Sequence, residues 1–167
     1  RNATAFGHSK NLRLDLVIND FVATALTTGS IEMLSNGEAH RPLVHCRDIA
    51  SAFHALCEAP KEHIMDLVVN FGPKDANLKV IEMANETKNA MTGCTISVGD
   101  QAGKDSRDYA VNFDRWHQLF PEFKFEFDLA SGINYLKKNL ENINFSDDDR
   151  MSGRFKRLFL LQRALKL

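Results

Sequence analysis

The chain has 167 residues, 44% of them hydrophobic and 26% charged, with a formal net charge of −1. That is the size of one ordinary domain with a real core, and it excludes a disordered, collagen-like or low-complexity chain. The near-neutral balance argues against nucleic-acid binding, which needs a basic footprint, and no apolar run reaches the ~20 residues of a membrane span.

Arg1 to Gly7 reads as the end of a strand entering a glycine turn. Domains seldom begin inside an element, so the expectation is a piece of a longer chain. Leu12 to Thr28 carries Leu14, Leu16, Val17, Phe21, Val22, Ala25 and Leu26 at helical spacing, with Gly29 as the stop. Ser30 to Leu34 and Arg41 to His45 flank the Asn36-Gly37 turn and predict a hairpin-like pair of strands. Asp48 is the expected N-cap of a helix through Ile49, Ala52, Phe53, Leu56 and Cys57, ended by Pro60.

Asp66 to Phe71 is a dense apolar run closed by Gly72-Pro73, predicting a strand buried on both faces as in a parallel sheet. Asn77 is the expected cap of a helix through Val80, Ile81, Ala84 and Met91. Thr95 to Val98 reads as a short strand, Gly99 to Asp108 as a polar loop, and Phe113 to Leu119 and Leu129 to Leu140 as helices separated by Pro121. The acidic run Asp147-Asp148-Asp149 reads as a solvated linker. Beyond it, Phe155, Leu158, Phe159, Leu161 and Leu165 share one face of a basic amphipathic helix reaching Leu167. Such a helix can lie on a membrane, but the favoured reading is docking on its own domain or on a partner chain. The division expected is therefore 1–145 and a tail of 146–167. Alternating helices and strands make the class α/β.

Three scattered cysteines, Cys46, Cys57 and Cys94, form no CxxC pair. Buried, reduced thiols in a cytoplasmic protein are the expectation, with no metal site. No basic-then-apolar leader opens the chain, and the Asn-x-Ser/Thr triplets at Asn2, Asn85 and Asn144 are read as chance matches.

Chemistry needs clustered groups. Arg41, His45, Arg47 and Asp48 surround one strand-to-helix junction. His45 and Asp48 could be a base and its orienter or half a metal site; the plainer reading is a capping and packing pair. Arg107, in a polar loop, can clamp a phosphate with its guanidinium fork. Asn19 is a polar residue on an otherwise apolar helix, either exposed or kept for a polar contact. Several motifs are missing: no glycine-rich dinucleotide loop, no Walker loop, no nucleophile elbow, and neither Tyr109 nor Tyr135 is followed four residues later by lysine.

In order and spacing, the chain resembles the C-terminal half of extended short-chain dehydrogenases/reductases, the NAD-dependent nucleotide-sugar epimerase/dehydratase family. The opening Arg1-Asn2-Ala3-Thr4-Ala5-Phe6-Gly7 is similar to that family's Arg-x-x-x-x-Tyr-Gly-Pro segment, with Phe6 for Tyr and His8 for Pro. Arg13 to Asn19 resembles the helix whose Asn contacts the substrate diphosphate. Arg41-Pro42-Leu43-Val44-His45-Cys46-Arg47-Asp48-Ile49-Ala50 resembles Arg-x-x-x-His-x-x-Asp-Ile/Leu-Ala, and Val69-Asn70-Phe71-Gly72 a family strand end.

The resemblance implies a partial Rossmann-type fold: the substrate-binding portion without the N-terminal dinucleotide-binding half. It implies a nucleotide-diphosphate sugar held by Asn19, Arg41 and Arg107, and Asn2 beside the nicotinamide end of NAD or NADP. His45 and Asp48 become structural. The family's Tyr-x-x-x-Lys, Ser/Thr and glycine loop are not in this chain, so no catalytic residue is assigned and no cofactor is expected to bind the chain alone. The alternative is a non-catalytic fragment that self-associates through an exposed sheet edge. A keto-sugar reductase fragment is the third reading.

Overall fold

The computed structural model describes residues 1–103 and 107–165. The chain is α/β, as expected, and its strands form two small sheets. β1 (Thr4–Phe6) lies parallel to β3 (His40–His45), which pairs antiparallel with β4 (Asn77–Lys79), giving the order β1-β3-β4. β2 (Ser30–Ser35) pairs parallel with β5 (Thr95–Gly103). The helices are α1 (Val17–Thr28), α2 (Cys46–Glu58), α3 (Lys61–Ile64), α4 (Val80–Asn89), α5 (Asp114–Leu119), α6 (Leu129–Asn142), α7 (Asp147–Met151) and α8 (Arg157–Leu165).

Two apolar clusters hold these elements. The larger packs Ile18 and Val22 of α1, Ile31 and Met33 of β2, Met83 of α4, and Ile133, Leu136 and Leu140 of α6, all fully buried. The smaller is aromatic. Phe71, Trp116, Phe120, Phe123 and Phe125 lie in edge and stacked contacts, with ring centroids 4.3–5.6 Å apart.

The hairpin does not form. β2 and β3 belong to different sheets. The reason is in the connection: α4's first amides take its carbonyls, Ile81 N–H donating to Gly37 O (3.0 Å) and Val80 N–H to Ala39 O (3.1 Å). The segment is thus bound to a helix start rather than closed as a tight turn. β2 instead buries Ile31 and Met33 by pairing with β5.

The run Asp66 to Phe71 is not a strand buried on both faces. Asp66 adopts φ 57°, which interrupts the extension, and Val68 is 54% exposed. Its end is bound at a single bridge, Asn2 to Phe71, through Ala3 N–H to Phe71 O and Phe71 N–H to Arg1 O (both 2.9 Å). β5, by contrast, runs five residues past Val98 into the expected loop, because β2 continues to pair with it as far as Ser35 and Gly103. Residues 104–106 of that loop lie outside the described residues.

Caps also shift. The helix expected from Leu12 starts at Val17; Leu12 and Leu14 are buried before it, in irregular backbone. Gly29 ends it in the left-handed region (φ 72°), as expected. His45, not Asp48, is the N-cap of α2, its Nδ1 accepting from Arg47 N–H at 3.4 Å. Asp48 reaches instead across the chain, where its carboxylate accepts from Glu126 N–H (2.8 Å) and Phe127 N–H (3.4 Å). Asn77 sits in β4 and clasps Val111 through both N–H and C=O (2.9 Å each), while Glu82 caps α4 by accepting from Lys79 N–H (2.7 Å).

α5 and α6 stand where the spacing put them, α6 capped by Asp128 and Ser131. The acidic run is largely solvated, as expected, but it is helical. Ser146 caps it into the first turn of α7, and Asp147 pairs with Arg150 at 2.7 Å. The tail is only partly docked: Phe155 packs on Phe145, and its carbonyl accepts from Leu14 N–H (2.9 Å), but α8 beyond it is exposed along its length. Among the described residues no helix is long and apolar enough to cross a membrane.

Candidate functional site

A cleft of about 560 Å³ opens where β1, the start of α1, β2 and β3 converge. Its wall includes Thr4, Asp20, Arg41, Arg107, Tyr109 and Lys156. Arg41 leaves the second position of β3, where its backbone is paired with Leu78 of β4. Its Nη1 donates to His40 O (2.6 Å) and to Arg107 O, and its guanidinium lies over the Tyr109 ring, 5.5 Å from the centroid. Asp108 ties the same segment to β3, accepting from both N–H and Nδ1 of His40 at 2.9 and 3.0 Å. Arg41 and Arg107 are thereby brought to one place, though far apart in sequence.

The rest of the cleft mixes signs. Lys156 stands near Asp20 of α1, whose carboxyl is pushed up by burial against the pull of Lys156 and Arg150. Asp15 is held low by Arg13, which binds both its oxygens at 2.9 and 2.7 Å. The guanidinium group at Arg41 and Arg107 is therefore the part of this cleft suited to concentrated negative charge.

A second cavity of about 540 Å³ is a poor competitor for an anion. Asp75, Glu82, Glu86 and Asp128 line it, and its one basic side chain is His45. His45 is fully buried, stacked on Phe127 at 3.8 Å and edge-on to Phe6 and Tyr135. Burial, with Arg47 nearby as the lesser cause, lowers its pKa to about 4. It is therefore neutral at pH 7 and adds no positive charge there.

That depressed value has a measurable consequence. His45 stays neutral in the fold down to about pH 4 but protonates near 6.5 when unfolded. Its contribution to stability is complete above pH 6.5 and is lost as the pH falls toward 4, by about 3 kcal/mol at most. Asp20 and Asp48, with carboxyls raised by burial, act in the opposite direction. The check is denaturant unfolding at pH 7 and pH 4.5 of the parent and of His45→Phe: the parent should lose more stability than the variant. Equal losses would refute the assignment.

Asn19 is placed differently from the two arginines. It is 2% exposed and does not line the cleft. Its Oδ1 accepts from Gly7 N–H (2.9 Å), and its Nδ2 donates to Arg13 O (2.9 Å) and Gly7 O (3.4 Å). It is thus the pin between the β1 turn and the segment entering α1, both of which border the cleft. Asn2 lines a smaller hollow of about 240 Å³ with Asn70 and Val111, which shares Thr4 and Tyr109 with the main cleft. Tyr109 and Lys156 were not singled out from sequence. Tyr109 had one available signal, its place two residues after Arg107; Lys156 had none beyond the basic tail.

The model of the NAD dependent epimerase/dehydratase family matches residues 1–72. The fold matches Rossmann-like solved structures at low identity. UDP-glucuronic acid 4-epimerase from Bacillus cereus, solved with UDP-glucuronic acid and NAD, has 15% identity, a TM-score of 0.69, and covers 86% of this chain and 44% of its own. dTDP-glucose 4,6-dehydratase from Bacillus anthracis, solved with NAD, has 18% identity and a TM-score of 0.68, over 85% of this chain and 43% of its own. UDP-glucose 4-epimerase from Thermotoga maritima, solved with UDP-glucose, has 16% identity and a TM-score of 0.67, over 86% and 45%. The chain therefore spans less than half the length of these proteins.

Proposed function

We propose that this chain is the nucleotide-sugar-binding part of an NAD(P)-dependent epimerase or dehydratase, inactive without a cofactor-binding half. The observation that carries the reading is the junction of Arg41 and Arg107 at one cleft, braced by Tyr109 and Asp108. The Arg41 guanidinium, held by backbone carbonyls and the Tyr109 ring, with Arg107 on the same wall, suits the oxygens of a diphosphate. Asn19 then serves the same site by holding the Gly7 turn and Arg13 in place, rather than by spending its amide on the ligand. The match of residues 1–72 to the family and the partial coverage of solved epimerases and dehydratases support the same reading.

The described residues fit at most one end of a dinucleotide. Asn2 borders two hollows of about 240 and 270 Å³, and no glycine-rich strand-turn-helix occurs in the sequence. In this reading Asn2 lies beside the nicotinamide end, with NAD or NADP held chiefly by the other half.

Calorimetric titration with UDP and dTDP tests the reading. Arg41→Ala and Arg107→Ala should each weaken nucleoside-diphosphate binding about tenfold, the size of one lost charge-assisted contact. NAD titrated into the chain alone should bind weakly. Unchanged diphosphate affinity in a folded double variant, or tight NAD binding, would overturn the proposal. A self-associating, non-catalytic module is the second reading, favoured by the outermost position of β1 in its sheet. It requires a concentration-dependent oligomer and no diphosphate binding.

A further inference from the structure

The sequence is nearly neutral overall, yet after Asp149 it carries six cations and no acidic residue. The structure gathers part of this charge at the foot of α8. Arg154 and Arg157 line a hollow of about 380 Å³ together with Lys10 and Arg13 from the segment before α1. Among the described residues no carboxylate belongs to its lining, although Asp15 at its edge binds Arg13 through both oxygens and is also drawn low by Arg157. Leu160 closes the hollow on the helix side.

The adjoining face of α8 is apolar and uncovered. Leu158, Leu161 and Leu165 follow at i, i+3 and i+7, which puts them on one stripe, and they are 65%, 59% and 65% exposed. Phe155, just ahead of the helix, fixes it to the core. The helix thus offers a leucine stripe beside a basic hollow.

We propose that this pair of features is a docking surface for an anionic phospholipid bilayer: headgroup phosphates enter the hollow, and the leucine stripe sinks into the acyl boundary. Charge complementarity selects this occupant. A second copy would bring its own basic hollow to the same place, and a neutral apolar groove would leave the hollow's charge unanswered. A bilayer supplies negative charge and an apolar layer side by side, at the separation an interfacial helix spans. The proposal is independent of the diphosphate cleft.

Vesicle sedimentation with the chain tests it. Vesicles of phosphatidylcholine alone should retain little protein, and vesicles with one part in three phosphatidylserine should retain much more, less so as salt rises. Lys10→Ala and Arg157→Ala should each lower binding to the anionic vesicles about fivefold. Leu161→Asp should abolish it while the far-ultraviolet circular dichroism and melting temperature stay unchanged. Failure to bind anionic vesicles, equal binding to neutral ones, or binding retained by a folded Leu161→Asp would overturn the proposal. So would a lipid-free dimer that Leu161→Asp dissociates, since a second copy would then cover the stripe.

Discussion

Gly7→Ala is expected to destabilise the fold by about 4 kcal/mol, a large share of the typical stability of a domain. Gly7 holds φ 110°, and an added Cβ would stand 2.3 Å from Nε2 and 2.6 Å from Cδ2 of His45. His45 has no room to yield, being boxed by Phe6, Phe127 and Tyr135. The backbone cannot yield cheaply either, because Asn19 grips both the N–H and the C=O of Gly7. Backbone strain of ~1–2 kcal/mol for a side chain in this region adds to the clash. Gly29 is the matched control: its φ is 72°, but nothing lies within 4 Å of a Cβ there, so Gly29→Ala should cost only ~1 kcal/mol. Urea unfolding of the two variants measures the difference. If Gly7→Ala lost no more than Gly29→Ala, the packing of His45 against this turn would be wrong.

Trp116→Ala should cost about 3–5 kcal/mol, the usual range for emptying a large aromatic site. Trp116 is fully buried and touches Phe71 at 4.5 Å, Phe120 at 4.3 Å and Phe123 at 5.3 Å, so the space cannot close without moving three rings. The informative comparison is Trp116→Phe. Among the described residues the buried indole Nε1 has no hydrogen-bond partner, so replacing indole by phenyl sacrifices area but no polar contact within them. That variant should retain most of the stability, and a cost equal to that of alanine would mean the indole N–H is satisfied after all. Circular dichroism is the suitable probe, because Trp116 is the chain's single tryptophan.

The helices were legible wherever a full apolar stripe met a local stop signal. α6 is the clearest case: Ile133, Leu136 and Leu140 repeat at helical spacing behind the Asp128 cap. Strand pairing was not legible, because the partner of β2 is β5, far along the chain, and nothing near Asn36-Gly37 signals that α4 will take the connecting carbonyls. Asp48 shows the same limit at one residue. Its position suits an N-cap, but its actual acceptor role is toward Glu126 and Phe127, which only the tertiary fold brings near. At the site, resemblance named Asn19, Arg41 and Arg107. The structure sorts them, two at the cleft and one behind its wall, a distinction that residue type cannot make because a buried pin and a ligand donor are both asparagine.

The parallel pairing of β2 with β5 also shapes how the chain comes off the ribosome. Until Thr95 and its neighbours emerge, β2 has no mate, and Ile31 and Met33 face water or whatever chaperone is at hand. Neither sheet closes from a short nascent stretch, since β1 likewise waits for β3. Synthesis at about 5–20 residues per second leaves those sticky edges unsheltered for seconds, a window in which misassembly competes with folding.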